Sequence, residues 1–360
     1  MKAPALLERA LHGAWRRKGL FSTLMLPLSW VVRAAVARKR RRYEKHPERI
    51  YHCPLPVAVV GNLYVGGTGK TPVTIALAQA LQDRGWHPGI ISRGYGVDVG
   101  ERARSGRGTL DPARYGDEPA LIAQLTQAPV AVHPNRALAV KRLRRDYPEV
   151  DVIIADDGLQ HLALGRDLEI AVQDGRGIGN GRVLPAGPLR EPASRLKYVD
   201  FLITNLSAGQ SGPAAVDSPA RQLTMSLVPA KAVHLATGLA LDWASWLREY
   251  GDGRVSAMAA IGQPQRFFSM LRAGGLDLAH AVALPDHHAY GTSPFSALPA
   301  HPILVTAKDA VKCMRFNDDR LWSVHVSPVF SDPEWIDLAN DMLRMIARHK
   351  KAVAEQAPRD

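Results

Sequence analysis

Short apolar runs, rich in β-branched residues and broken by polar or glycine-containing loops, recur through the first part of the chain. They are Val57–Val60, Gly89–Ile91, Val130–Val132, the run Asp151–Asp157 that is apolar until its acidic end, Leu168–Val172 and Phe201–Leu206. None alternates strictly with polar residues, which suits strands covered on both faces of a parallel sheet. Pro72–Leu81 and Ala120–Leu125 read as helices between them. Ser207–Pro219 is rich in Ser, Gly, Pro and Ala and marks a surface excursion near a boundary. Beyond it, Val255–Ile261 and Ile303–Val305 are further strands with helices between. The expected division is an N-terminal segment 1–45, a larger domain 46–225, a smaller α/β domain 226–350 and a tail 351–360.

Composition is that of a folded globular chain, 46% hydrophobic and 22% charged. The formal charge of +12 has a location that matters more than its size. Residues 1–50 hold 13 Lys or Arg against 3 Asp or Glu, a net +10, so the remainder is nearly neutral. That is an attachment segment rather than a nucleic-acid surface, and no nucleic-acid partner is expected. Leu20–Val32 is uncharged and mostly apolar with Pro27 inside it, short of the roughly 20 residues that span a bilayer. Arg38, Lys39, Arg40, Arg41 and Arg42 follow it. The pair reads as an interfacial helix on an anionic membrane surface; a secretory signal or a core helix with a solvated basic flank are the competing readings. Cys53 and Cys313, with no CxxC spacing, support neither a disulfide framework nor a cysteine zinc site.

After the strand Val57–Val60 the chain reads Gly61-Asn-Leu-Tyr-Val-Gly-Gly-Thr-Gly-Lys-Thr71, and Pro72 opens a helix. Glycines let backbone N–H groups surround phosphate oxygens, and the helix N-terminus adds partial positive charge. Gly66, Gly67, Thr68, Gly69, Lys70, Thr71 and Pro72 are therefore the nucleotide-binding candidates. Lys70 would reach the β- and γ-phosphates and Thr71 would ligate Mg²⁺, making ATP and Mg²⁺ the expected cofactors. The usual first glycine of such loops falls on Tyr64, and the lysine that precedes the glycine pair in partitioning and metallochaperone ATPases is Val65 here. The expected fold class is an α/β, P-loop NTPase-like, mostly parallel sheet flanked by helices.

Asp156 and Asp157 end a second apolar strand, as the Mg²⁺ side of a P-loop site requires. Strand alternation sends them to opposite faces, so one holds the metal. Gly158-Leu159-Gln160-His161 follows, putting Gln160 and His161 at the same mouth. Asp117 and Glu118 head the helix Ala120–Leu125, either as N-terminal helix acids or with Asp117 as the base that accepts a hydroxyl proton. Arg93 and Tyr95 in Ser-Arg-Gly-Tyr-Gly, and Arg136 in His-Pro-Asn-Arg, follow strands in the same way. Arg182, Arg190 and Arg195 lie in the long Gly/Pro/Arg-rich loop Gly175–Pro192 and just beyond it, as candidates for a second phosphate.

In order, G-N-L-Y-V-G-G-T-G-K-T-P, S-R-G-Y-G, G-D-E-P, N-R, D-D-G-L-Q-H, L-P-A-G-P-L-R-E-P, P-D-H-H and T-A-K-D-A-V-K-C make the chain resemble the tetraacyldisaccharide 4'-kinase family over about residues 10–345. The resemblance implies transfer of the ATP γ-phosphate to the 4'-hydroxyl of a tetraacylated glucosamine disaccharide 1-phosphate. It implies a lipid substrate, a Mg²⁺ requirement and a peripheral protein on the cytoplasmic face of the inner membrane. It places the catalytic base on Asp117, its histidine partner on His287 and the P-loop lysine on Lys70. The metal positions fall on Thr71, Asp156, Asp157 and Gln160, and phosphate or headgroup contacts on Arg93, Tyr95, Glu118, Arg136 and His161. A monomer is expected. The competing class is a P-loop switch ATPase, which Val65 disfavours; a non-catalytic membrane adaptor would leave Lys70, Thr71 and Asp157 unexplained.

Overall fold

The computed structural model describes residues 13–356 apart from Arg16, Ala214, His287 and Ala289. The chain forms two compact units, the first from residues 1–205, 212–224 and 331–360, the second from 206–211 and 225–330.

In the first unit the apolar runs become β1 (Val57–Gly61), β2 (Pro88–Ser92), β3 (Arg104–Gly106), β4 (Val130–Val132), β5 (Val152–Asp156), β6 (Leu168–Asp174) and β7 (Phe201–Leu206). Their order is β7-β6-β1-β5-β2-β4-β3. All pairings are parallel except β3 with β4. β1, β2, β4 and β5 are buried along their whole lengths, because helices cover a parallel sheet on both faces. Helix Lys70–Asp83 turns Val73, Leu77 and Leu81 into that core at helical spacing. From β1 the chain crosses to β2 and from the neighbouring β6 it passes to β7, in opposite directions along the sheet, so the connections diverge between β1 and β6. The carboxyl ends of parallel strands at such a point form the ligand crevice of open α/β sheets.

The boundaries differ from those expected at the C-terminus. The expected small domain reached residue 350, with a tail after it. Instead helix Trp335–Gln356 belongs to the first unit. Trp335 is fully buried with its ring edge-on to Phe201 at 5.6 Å, Trp86 Nε1 donates to Asn340 Oδ1 at 2.9 Å, and Lys350 Nζ donates to the Cys53 and Leu55 carbonyls. Residues 357–360 and 1–12 of the expected terminal segments lie outside the described residues.

The second unit carries β8 (Arg221–His234, entering from the first unit), β9 (Ala240–Asp242), β10 (Val255–Ala259), β11 (Leu278–Ala283), β12 (Ile303–Thr306) and β13 (Leu321–Phe330). The order is β11-β10-β12-β13-β8, with β9 on β8. β8 and β13 pair antiparallel and have partly exposed stretches, so their mixed patterns do not read as buried strands in sequence. Trp243 and Trp246 stack at 5.3 Å, and Trp246 meets the Trp322 edge at 6.0 Å, in this unit's core.

The N-terminal segment forms helices Leu20–Leu24 and Leu26–Lys45. Their orientation inverts the usual one. Ser22 and Ser29 are buried, donating to the Ala186 carbonyl at 2.5 Å and the Val183 carbonyl at 2.8 Å. Leu20, Leu24, Leu28, Trp30 and Val31 are each more than half exposed. Among the described residues no helix is long and apolar enough to cross a membrane.

Candidate active site

The loop after β1 is shaped by glycine where backbone geometry demands it. Gly66 and Gly69 adopt φ of 96° and 98°, a left-handed region that side chains disfavour, and Gly69 caps the helix that begins at Lys70. Gly67 needs no such freedom, and a Cβ there would meet no atom of the described residues within 4 Å. Thr68 is fully buried and its carbonyl accepts from Asn205 Nδ2 at 3.1 Å. Two backbone bonds, Val65 N to the Pro188 carbonyl and Arg190 N to the Leu63 carbonyl, staple the loop to the segment around Leu189. Tyr64, at the position of the usual first glycine, is only 3% exposed, and the Arg176 guanidinium lies 4.1 Å from its ring centroid. Its side chain is thus part of the wall beside the loop, which explains the departure from the common pattern.

Lys70 and Thr71 start the helix, and Lys70 Nζ lies 3.6 Å from Asp157 Oδ1. Asp156 ends β5 at 1% exposure and accepts from Thr74 Oγ1 at 3.4 Å and Ser92 Oγ at 3.2 Å. Burial first, then the Glu118 and Asp157 carboxylates, push its pKa up to about 7. Asp157 has φ of 48°, so the strand has already turned; that turn, rather than strand alternation, separates the two carboxylates. Burial opposes ionisation of Asp157, but Lys70 and Arg190 outweigh it and hold its carboxyl below the usual range. Both Asp157 oxygens lie 3.1 Å from Arg190 Nη1.

Several of the expected ligand residues also hold protein groups. Gln160 was expected at a metal, yet its Oε1 accepts from Arg190 at 3.3 Å while its Nε2 donates to the Asn62 carbonyl and to Glu191. Its carboxamide thus also aligns the loops. Arg136 was expected to meet phosphate, but it is 3% exposed and donates to the His133 and Asp156 carbonyls at 3.0 and 3.2 Å. Burial lowers its pKa to about 10, which still leaves it charged at neutral pH, a strut behind the two acids. Burial, with Arg136 and Lys39 nearby, lowers the His161 pKa to about 4, so at neutral pH it offers a neutral imidazole rather than a cation to phosphate. Arg195 is buried against Glu169 and cannot face a ligand, and Arg182 donates to the Ser22 hydroxyl. Arg93 and Tyr95 are exposed in the loop after β2.

Asp117 is the first residue of helix Asp117–Thr126, whose capping position is Gly116 without a side-chain cap. Asp117 is therefore not the N-cap. Gly116 has φ of 92°, and a Cβ there would lie 3.1 Å from the Tyr95 carbonyl, so glycine lets the loop after β2 pack against this helix start. Asp117 and Glu118 are both half-buried, and Glu118 acts electrostatically on Asp156. His287 lies outside the described residues, and its role rests on the resemblance.

Sequence reading missed Thr74, Ser92, Asp174, Arg176 and Asn205. Arg176 pairs with Asp174 at 2.7 Å and reaches the Gly67 carbonyl at 3.4 Å. Its signal was present, since Asp174-Gly175-Arg176-Gly177 ends a strand as Ser92-Arg93-Gly94 does. Thr74 carried none, being one turn beyond Lys70 inside an ordinary helix.

A family model described as tetraacyldisaccharide-1-P 4'-kinase matches residues 21–344. The chain belongs to that family. A tetraacyldisaccharide 4'-kinase of Bordetella parapertussis is 52% identical over 344 residues, covering 96% of this chain and 99% of the relative. The protein of that name from Herminiimonas arsenicoxydans is 42% identical over 342 residues, covering 91% and 93%. Among solved structures, the family member LpxK from Aquifex aeolicus, in a crystal structure with ATP, superposes with a TM-score of 0.76 at 25% identity, covering 91% of this chain and 99% of that one. The α/β, P-loop kinase fold of the family accounts for the mostly parallel sheet and its glycine loop.

Proposed function

We infer that this chain is a lipid kinase that transfers the γ-phosphate of ATP to the 4'-hydroxyl of a tetraacyldisaccharide 1-phosphate, forming lipid IVA in lipid A biosynthesis. The observation that carries this beyond family membership is one of placement. Helix Asp117–Thr126 packs against helix Lys70–Asp83, with Gln79 and Gln82 Nε2 donating to the Leu125 and Thr126 carbonyls, and Glu118 acts electrostatically on Asp156; both observations support a base and P-loop acids that share one crevice. A switch ATPase has no use for an acceptor base there.

Lys70 would neutralise charge on the β- and γ-phosphates, and the loop N–H groups would hold the phosphate chain. Asp117 would accept the proton of the attacking hydroxyl. The donor set fits Mg²⁺: Thr71 offers a hydroxyl, and Asp156 and Asp157 are carboxylates whose mutual repulsion a divalent cation would relieve. Bound Mg²⁺ would supply neutralisation of phosphate charge. Purified protein incubated with labelled ATP, Mg²⁺ and the tetraacyldisaccharide 1-phosphate in detergent should move label into lipid. Steady phosphate release with unlabelled lipid would favour the switch ATPase. Lys70→Ala should lower the transfer rate by about a hundredfold or more, in line with removing a preorganised charge-stabilising donor.

The inverted N-terminal helices support peripheral attachment to the cytoplasmic face of the inner membrane. Serines face the protein while Leu20, Leu24, Leu28, Trp30 and Val31 face outward, ahead of the exposed basic residues Arg38, Lys39, Arg41 and Arg42. Apolar insertion and attraction to anionic headgroups would act together. Leu28→Ser with Trp30→Ser should weaken binding to anionic vesicles about tenfold or more, at about 1–2 kcal/mol per side chain, with nucleotide binding unchanged. Equal sedimentation of variant and parent with vesicles would count against attachment through this face.

A further inference from the structure

We propose that Asn62 is a positioning residue that shapes the phosphate-binding loop from behind and aims the Gly67 N–H into it. This rests on the nucleotide-binding part of the reading above. Asn62 follows β1 and is fully buried, and the two hydrogens of its Nδ2 are shared among three acceptors of the loop. They are the Tyr64 carbonyl at 2.7 Å, the Gly66 carbonyl at 3.1 Å and Thr68 Oγ1 at 3.2 Å. The amide orientation is decided chemically, because carbonyl oxygens only accept and so must face the NH₂ group.

In a trans peptide the C=O and the following N–H point in opposite directions. Drawing the Tyr64 carbonyl toward Asn62 therefore turns the Val65 N–H away, and that N–H is found donating to the Pro188 carbonyl. Drawing the Gly66 carbonyl inward likewise turns the Gly67 N–H away from Asn62. The left-handed φ of Gly66 makes this orientation possible, and the space where a Gly67 Cβ would stand holds no atom of the described residues within 4 Å. One side chain thus fixes the directions of two peptide units and the Thr68 hydroxyl. In a loop whose usual first glycine is Tyr64, Asn62 supplies from the side what a short all-glycine turn would supply by its own backbone. The backbone carbonyl of Asn62 also accepts from Gln160 Nε2 at 3.1 Å, so the same residue ties the loop to the one that follows Asp156 and Asp157.

The test compares Asn62→Ala, Asn62→Ser and Asn62→Asp in the full chain. It measures affinity for a fluorescent non-hydrolysable ATP analogue, and KM for ATP and for lipid separately. Asn62→Ala should weaken analogue binding about tenfold or more, since it removes hydrogen bonds that hold the loop. Asn62→Asp keeps the shape but sets an oxygen against two carbonyls, and should be worse than Ala. Asn62→Ser keeps a short donor and should fall between Ala and the parent. KM for lipid should stay within about twofold of the parent across the folded variants. An Asp variant that binds better than Ala would show that Asn62 only fills space and would overturn the proposal. Should the Asp variant not fold, a Ser variant no better than Ala does the same. A parent that binds the analogue as weakly as Lys70→Ala sinks the nucleotide reading itself, and the proposal with it.

Discussion

Asp117→Ala should lower turnover on the lipid acceptor by about 10²–10⁴-fold, the usual range for a positioned general base, while leaving ATP affinity within about twofold. The structural reason is that Asp117 has no competing duty as a helix cap. Gly116 occupies the capping position, and helix Asp117–Thr126 has no side-chain cap for Ala to remove. Helix stability should therefore change little, apart from the modest loss of a negative charge at a helix N-terminus. Steady-state kcat and KM for ATP, measured separately, check the prediction. A variant that loses ATP affinity but keeps its kcat would place Asp117 in nucleotide binding and leave the base unassigned. Asp117→Asn separates charge from shape: it should be nearly as slow as Ala, because an amide cannot accept the proton.

The second large effect is on stability. Trp335→Ala should destabilise the first unit by about 3–5 kcal/mol, the range for truncating a buried large aromatic. Trp335 has no exposed surface, and its ring meets Phe201 of β7 edge-on, an arrangement that adds to simple burial. The cavity would open beneath the first turn of helix Trp335–Gln356, whose further attachments run through Asn340 to Trp86 and through Lys350 to Asp167. Urea unfolding followed by loss of nucleotide-analogue binding reports on the unit that carries the loop. A midpoint shift equivalent to less than about 1 kcal/mol would mean that this helix is not part of the core, contrary to its burial.

The parts of the site legible in sequence were those whose chemistry dictates residue type locally. A phosphate loop needs glycines and a lysine at fixed spacing before a helix, and a strand that ends in carboxylates announces itself through the contrast between Ile153-Ile154-Ala155 and Asp156-Asp157. Arg136 and Gln160 have a second use that the sequence does not show. Both stand in loops that follow strands, where polar side chains reach ligands, but a guanidinium or carboxamide can equally hold the backbone of the next loop. Only burial and hydrogen-bond partners tell the two uses apart. The His161 imidazole is similar: its charge state follows from burial and nearby cations, which no local pattern records.

The order of the apolar runs, the glycine loop, the acidic strand end and the eight segments in series were determined by sequence alone, and with them the parallel α/β unit and the lipid-kinase reading. Burial on both faces imposes continuous apolar strands, and phosphate chemistry imposes the rest. Tertiary structure alone decided that helix Trp335–Gln356 returns to the first unit, and that β8 and β13 pair antiparallel in the second. It also decided that the N-terminal helices turn serines inward and leucines outward, and that Asn62 holds the loop. Each of these depends on partners far away along the chain, or on which face of an element is covered. A side chain's role there is set by what packs against it, and residue type at a single position does not contain that.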